Sequence, residues 1–195
     1  TAKHGVWRKG PGMKLFNALH EALDAPEIIA ENLGDINEEV DELLEDSGYP
    51  GMKVLQFAFD ATTEADELPY TYKANDVVFT GTHDNNTTAG WLKNLDPEIR
   101  AFALDYVRYK EDGENAGGNS YAAAARAFVE EAWSLPCVLA IAPLQDFLAY
   151  GEEERMNTPG TNTEKNWVFR VQEDALEALD KAAIYRLNEV YQRLP

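Results

Sequence analysis

Four short apolar runs alternate along the chain with segments whose apolar residues recur at helical spacing. The runs cover residues 28–30, 52–59, 77–80 and 137–142. Runs that are apolar at nearly every position are typical of strands buried on both faces of a parallel sheet. The pattern therefore predicts an α/β fold, in which helices cover a parallel sheet.

The predicted helices lie between and after these runs, and several begin at a capping residue. Asn37 is a capping residue of this kind, and Pro97 occupies the first position of a later helix. The predicted helices cover residues 12–23, 38–47, 97–110, 120–134 and 172–195, with a loop over 111–119. The length suits one unit over residues 1–195, with the terminal helix packed on its outside.

Charge and composition exclude several classes of partner. The 195 residues include 17 basic and 35 acidic ones, which gives a net charge of −18. Nucleic acids and anionic membranes attract basic surfaces, so we expect neither as a partner. The longest apolar stretch is far shorter than the roughly 20 residues that cross a bilayer, and no signal-peptide pattern is present. The single cysteine, Cys137, favours a reducing compartment, and we expect a cytoplasmic protein.

An acidic residue follows each apolar run within a few positions. These residues are Glu31, Asp60, Asp84 and Asp146. Functional side chains of parallel α/β folds gather where strands end, so the four acids predict a shared acidic cleft. The alternative for any one of them is that it caps a helix or faces solvent.

The segment 77–91 concentrates polar residues directly after an apolar run. His83 and Asp84 are followed by two asparagines, and together these side chains could bind the hydroxyl groups of a sugar. The competing interpretation is a turn that caps a helix beginning near Thr87. Four aromatic residues in or near predicted loops could stack on a sugar ring, although burial in the core is the commoner role. They are Tyr70, Tyr72, Trp91 and Trp167.

Other chemistries lack support in the sequence. It contains no GxGxxG, GxxxxGK[ST], HExxH or GxSxG motif, and its three histidines are widely separated. We therefore predict neither a cofactor nor a metal.

Six ordered motifs resemble the C-terminal part of the 4-α-glucanotransferase family, whose members are called amylomaltases or disproportionating enzymes. The motifs are GVWRKGPG (5–12), IIAENLG (28–34), PGMKVLQFAF (50–59), FTGTHDNNTTAGW (79–91), APLQDFLAYGEEERMNTPGT (142–161) and NWVFR (166–170). The resemblance implies a (β/α)₈ TIM barrel, of which this chain would form about strands five to eight. It also implies transfer of α-1,4-glucan segments between maltooligosaccharides with retention at the anomeric carbon.

The resemblance assigns roles to particular residues. Glu31 matches the family's general acid/base, and Asp84 matches the carboxylate that stabilises the transition state. His83 and Asn157 match sugar-binding residues, and Asp60 is a further candidate whose register is loose. Asn32 departs from the family, which usually has Asp at this position.

A motif resembling RIDHFRG, which carries the family's nucleophilic Asp, does not occur in these 195 residues. Retaining transfer needs a nucleophile as well as an acid/base. We therefore expect the isolated chain to be inactive, and a missing N-terminal half of the barrel to be its partner. Two alternatives stay open, a non-catalytic glucan-binding or barrel-completing module and a retaining glycosidase that hydrolyses.

Overall fold

The computed structural model describes residues 4–6, 8–34, 36–60, 67–110 and 120–194. The chain divides into two compact units, Thr1–Met52 and Lys53–Pro195. The loop predicted over 111–119 lies outside the described residues. No helix in the described ranges is long and apolar enough to cross a membrane.

The first unit contains two helices at the predicted positions. They are α1 (Met13–Leu23) and α2 (Glu38–Ser47), and they contact each other. Asn37 caps α2, because its Oδ1 accepts the backbone N–H of Val40 at 3.1 Å. The strand predicted over 28–30 is reduced to one parallel bridge, between Ala30 and Gly51.

Three strands form a sheet in the order β1 (Met52–Val54), β2 (Val77–Phe79) and β3 (Leu139–Ile141). Strands β2 and β3 are parallel, with Val77 opposite Leu139 and Phe79 opposite Ile141. The sequence correctly predicts this α/β arrangement and its parallel pairing.

The prediction of one strand over 52–59 is wrong beyond Val54. Residues Leu55–Phe59 form a 3₁₀ helix instead. Leu55, Ala58 and Phe59 are buried, whereas Phe57 is 51% exposed. Burial at positions separated by three and four residues fits a helical turn and not the alternation of a strand.

The run 137–142 is also less buried than predicted. Leu139 and Ile141 are 45% and 37% exposed, although we expect strands of this composition to be covered on both faces. Strand β3 lies at the edge of the three-stranded sheet, and within the described residues nothing covers this apolar surface completely.

Within the described residues of the second unit, six helices accompany the sheet. They are α3 (Thr88–Asn94), α4 (Pro97–Tyr106), α5 (Ser120–Ser134), α6 (Leu144–Phe147), α7 (Glu173–Glu177) and α8 (Lys181–Val190). The single helix predicted over 172–195 is therefore two helices. The second one begins after Asp180, whose Oδ1 accepts the backbone N–H of Ala183 at 2.9 Å.

The core of the second unit is centred on Phe128 of α5, which is fully buried. Its ring meets those of Phe59 and Trp91 edge-on, at centroid distances of 5.8 and 5.4 Å. Cys137 is buried beside this core, and burial raises the pKa of its thiol to about 11. It is thus a core residue, as predicted.

Arg193 fixes the segment after α8 to the end of α5. Its guanidinium donates to the backbone carbonyls of Trp133, Leu135 and Cys137, at 2.9, 2.8 and 3.2 Å. These carbonyls belong to the end of α5 and the turn towards β3, where a cation also interacts favourably with the helix dipole. The terminal region thus packs on α5.

Asp146 is buried at 1% exposure, so it does not join an open acidic cleft. Its Oδ2 accepts the hydroxyl groups of Thr80 and Thr88, at 2.5 and 2.8 Å. Its Oδ1 accepts the backbone N–H of Thr88 at 2.8 Å. One carboxyl group therefore joins the end of β2, the first turn of α3 and the helix α6 that follows β3.

The burial of Asp146 predicts a specific pH dependence of stability. Loss of hydration raises the pKa of this carboxyl group in the folded chain, more than its three hydrogen bonds lower it. Between the unfolded pKa of about 3.9 and the raised folded pKa, the folded state binds more protons than the unfolded state. Stability therefore falls as the pH rises through this window. Asp146→Asn removes this titration. We expect the wild-type free energy of unfolding, relative to that of Asp146→Asn, to fall with rising pH in this window.

Urea unfolding between about pH 4 and pH 8 measures this difference. Asp105→Asn, at an exposed position of α4, is the matched control for the loss of one carboxyl group, and the pH profile of Asp146→Asn is compared with its profile. A relative stability that rises with pH would contradict the expectation.

Candidate functional site

A loop of residues 80–87 joins β2 to α3 and carries His83 and Asp84. Thr82 donates its backbone N–H and its hydroxyl to Asn85 Oδ1, at 3.0 and 2.8 Å. The N–H of Asp84 donates to Thr82 Oγ1 at 3.2 Å. The turn interpretation is therefore correct for Asn85, and this turn presents His83 and Asp84 to solvent.

Two glycines allow this loop to pack closely on its neighbours. A Cβ atom at Gly81 would lie 2.6 Å from Gln56 Nε2, which donates to the backbone carbonyl of Asn86 at 2.9 Å. A Cβ atom at Gly90 would lie 2.6 Å from Asn86 Oδ1. This buried Oδ1 has no hydrogen-bond partner in the described part of the chain. Gln56 thus supports the loop through its hydrogen bond to Asn86.

The structure brings Asp84 and Asn157 into direct contact. Asn157 Nδ2 donates to Asp84 Oδ1 at 2.6 Å. Arg155 holds both residues, because its Nη2 donates to the carbonyl of Asp84 at 2.7 Å and its Nε donates to the carbonyl of Asn157 at 2.6 Å. Hydrogen bonds from a charged donor are stronger than neutral ones, so Arg155 fixes the two loops against each other.

His83 lies at the same place. Its Nε2 is 3.4 Å from Asp84 Oδ1, and the two side chains are 58% and 50% exposed. On its other side the imidazole contacts Trp167, with ring centroids 5.1 Å apart and planes inclined by 42°. We call His83, Asp84, Asn157, Arg155 and Trp167 the Asp84 cluster.

Glu31 and Asp60 occupy exposed positions in different units. The residues on both sides of Glu31 are held within the first unit. The Ala30 N–H donates to the Pro50 carbonyl, and the Asn32 side-chain Oδ1 accepts the N–H of Met52. Asp60 follows the 3₁₀ helix. The shared site of Glu31 and Asp84 stays a prediction, and so does a binding role for Asp60.

Of the four aromatic candidates, Tyr72 is a buried core residue, and Trp91 is partly buried with its ring packed against Phe128. Tyr70 is exposed, and its backbone N–H donates to the hydroxyl of Tyr106. Trp167 is exposed as well and is the one that contacts a candidate sugar-binding residue.

Arg155 and Gln56 are supporting residues that sequence analysis did not single out. Arg155 lies two positions before Asn157 in the motif ERMNTPG, so its place in that motif was an available signal. Gln56 was detectable as a polar residue inside the apolar run 52–59.

The large apolar cavity of the second unit contains none of the candidate residues. It has a volume of about 720 Å³ and lies between α5, α6 and the two terminal helices. Its lining includes Val129, Phe147 and Leu187. Among the described residues, no three His, Cys, Asp or Glu side chains are arranged to hold a metal ion.

Comparisons with known proteins agree with the motifs. The profile of glycoside hydrolase family 77, described as 4-alpha-glucanotransferase, matches residues 1–176. The chain is 41% identical over 195 residues to a 4-alpha-glucanotransferase of Streptococcus pneumoniae, and 39% identical over 201 residues to one of Thermus thermophilus. Both alignments include all of this chain, which spans 37% and 38% of those two proteins.

A solved structure is similar as well. It is the amylomaltase from Streptococcus agalactiae in complex with acarbose, with a TM-score of 0.85 and 33% sequence identity. The match covers 98% of this chain and 37% of that one.

The contacts of Arg155 predict how the Asp84 cluster responds to its loss. Arg155→Met keeps a long side chain but removes both hydrogen bonds to the backbone. A hydrogen bond from a charged group contributes roughly 1.5–3 kcal/mol. We therefore expect amide hydrogen exchange at Asp84 and Trp167, whose N–H groups donate to Thr82 Oγ1 and to the Met156 carbonyl, to accelerate about tenfold or more, since tenfold corresponds to about 1.4 kcal/mol.

Hydrogen exchange followed by NMR gives this comparison residue by residue. Arg186→Met is the matched control, because Arg186 pairs with Glu189 on the exposed face of α8. It should leave exchange in the Asp84 cluster unchanged. Equal exchange rates in Arg155→Met and wild type would show that Arg155 does not hold these loops.

Proposed function

Because this chain belongs to the 4-alpha-glucanotransferase family, we propose that it supplies the general acid/base and the sugar-holding residues for transfer of α-1,4-glucan segments between maltooligosaccharides. The observation that most directly supports the sugar-holding role is the contact of Asp84 with His83 and with Asn157. Asn157 belongs to a different sequence motif from the other two residues. These side chains offer hydrogen-bond donors and acceptors at an exposed loop, as the hydroxyl groups of a glucan require.

We also propose that residues 1–195 form about strands five to eight of a (β/α)₈ barrel. The parallel pairing of β2 and β3 and the helix after each strand support this arrangement. The exposed apolar side chains of β3 support it too, because the edge strand of an incomplete barrel exposes residues that the remaining strands would cover. The remaining strands would come from sequence outside these 195 residues.

In the proposed reaction Glu31 first donates a proton to the leaving glycosidic oxygen, while a nucleophilic carboxylate attacks the anomeric carbon. Glu31 then takes a proton from a hydroxyl group of the acceptor glucan, which displaces the enzyme carboxylate. Such a mechanism needs the two carboxyl groups about 5–5.5 Å apart. The nucleophile motif is not among these residues, so the rest of the barrel would supply it.

Asp84 would hold the reacting glucose ring through its hydroxyl groups. Asn157 fixes Oδ1 of this carboxylate. Among the described residues Oδ2 receives no hydrogen bond, which leaves it available to a sugar hydroxyl. His83 lies next to Asp84 and would contact the same ring, with Asp60 as a further binding residue. The chain would need neither a metal nor a cofactor for this chemistry.

A second candidate function is a glucan-binding or barrel-completing role without catalysis. The absence of the nucleophile motif from the 195 residues favours it for the isolated chain. Transfer and glucan binding both require Asp84, whereas only transfer requires Glu31, and a purely barrel-completing role requires neither residue.

The test of transfer uses a chimera in which residues 1–195 replace the matching part of the Streptococcus agalactiae amylomaltase. On maltotriose we expect glucose and longer maltooligosaccharides as products. Glu31→Gln should lower the rate by a factor on the order of 10²–10⁴, the usual contribution of general acid–base catalysis. Asp105→Asn is the control at an exposed helical position and should leave the rate unchanged.

Titration of the 195-residue chain alone with acarbose tests the binding residues independently of the chimera. We expect Asp84→Asn to weaken binding by about tenfold, because a carboxylate accepts hydrogen bonds more strongly than an amide does. Transfer that survives Glu31→Gln would refute the catalytic role. Acarbose binding that Asp84→Asn leaves unchanged would refute the sugar-holding role.

A further inference from the structure

Trp167 is a large aromatic residue that the second unit does not bury. It is 61% exposed, and its ring contacts the exposed imidazole of His83. An indole left in water gives up the free energy that burial of its apolar surface would release. The fold of the described residues therefore offers no packing reason for a tryptophan at this place.

The backbone of Trp167 adopts a conformation that a bulky side chain disfavours. Its φ angle is 65°, in the left-handed region where glycine and asparagine are usual. The exposed Tyr70 and Tyr185, at 66% and 60%, do not share this property. Strained residues of this kind persist where the surrounding structure imposes them, commonly at ligand sites.

The surrounding loop holds Trp167 in this conformation. The Trp167 N–H donates to the Met156 carbonyl at 2.8 Å and so closes the loop 156–167. Inside the loop, Asn166 Oδ1 accepts the N–H of Thr158, and Asn166 Nδ2 donates to the carbonyl of Thr161. The adjacent Asn157 is bonded to Asp84, and the indole contacts His83, whose Nε2 lies 3.4 Å from Asp84 Oδ1. The loop thus holds the indole next to the residues of the candidate site.

We propose that Trp167 is the stacking surface for a second glucose residue, next to the one that His83, Asp84 and Asn157 hold. A pyranose ring has an apolar face of C–H groups that packs on an aromatic ring, while its hydroxyl groups remain hydrated at the edge. The site would accept a neutral α-1,4-glucan. It would favour longer chains, because the ring held by Asp84 and the ring stacked on the indole are two different glucose residues in this proposal. This inference rests on the proposed function and adds a specificity-determining residue to it.

The test compares maltooligosaccharides of increasing length on the 195-residue chain by isothermal titration calorimetry. For wild type we expect affinity to rise at the length that first reaches Trp167. In Trp167→Ala this increment should be lost, at a cost of about tenfold or more in affinity for the longer sugars, with shorter ones unaffected. Trp167→Phe keeps an aromatic face and should retain part of the increment. Tyr185→Ala, at an exposed aromatic residue of α8, is the control.

Tryptophan fluorescence provides a second measurement. The other tryptophans are Trp7, Trp91 and Trp133, and the last two pack in or against the core. In a Trp7→Phe background, a ligand that covers Trp167 should therefore change the emission, and the additional substitution Trp167→Phe should abolish that change. A uniform loss of affinity at every sugar length would mean that Trp167 only supports the loop, and would overturn the proposal. An unchanged length dependence in Trp167→Ala would overturn it too.

Asp84→Asn separates this inference from the proposed function. If that variant weakens binding while Trp167→Ala keeps the wild-type length dependence, the stacking site is refuted and the glucan site stands. If Asp84→Asn binds all sugars as wild type does, or if neither the 195-residue chain nor the chimera binds a maltooligosaccharide, the proposed sugar-holding role fails and the stacking site with it.

Discussion

The buried carboxyl group of Asp146 joins three segments that are far apart in the sequence. It accepts hydrogen bonds from Thr80 at the end of β2 and from Thr88 at the start of α3, while its own backbone belongs to α6. The loop that carries His83 and Asp84 begins at Thr80 and ends directly before Thr88. The geometry of the candidate site therefore depends on Asp146, which is buried out of reach of a substrate. Burial of this carboxyl group is tolerated because hydrogen bonds replace its lost hydration.

The periodicity of apolar residues predicted most of the fold, and capping residues explain where several helices begin. Apolar periodicity gave wrong predictions where two different structures produce the same sequence pattern. The run 52–59 is apolar at nearly every position, which a strand buried on both faces and a buried 3₁₀ helix produce alike. Over 172–195 the apolar spacing continues through Asp180, and nothing in that spacing reveals that this residue caps a new helix.

The site was less predictable than the fold, since its contacts join side chains to distant backbone groups. Resemblance to a family indicated Asp84 and Asn157, and the structure places them together. Arg155 was not predicted, because it donates to two backbone carbonyl groups. Every residue has such a group, so the partners leave no pattern of residue types in the sequence. Asp146 resembled a cleft acid for a related reason, because sequence alone does not show which acid after a strand becomes buried.

The three hydrogen bonds of Arg193 connect residues that are 56 to 60 positions apart. Closing a loop of this length costs conformational entropy before such a contact can form. The helix α5, whose end Arg193 binds, is instead built from local contacts. We therefore expect the arginine to dock after α5 has formed. Interactions that form after the transition state govern how fast a protein unfolds and leave its folding rate almost unaffected. On this expectation, the contribution of Arg193 is to slow unfolding and so to lengthen the lifetime of the native state.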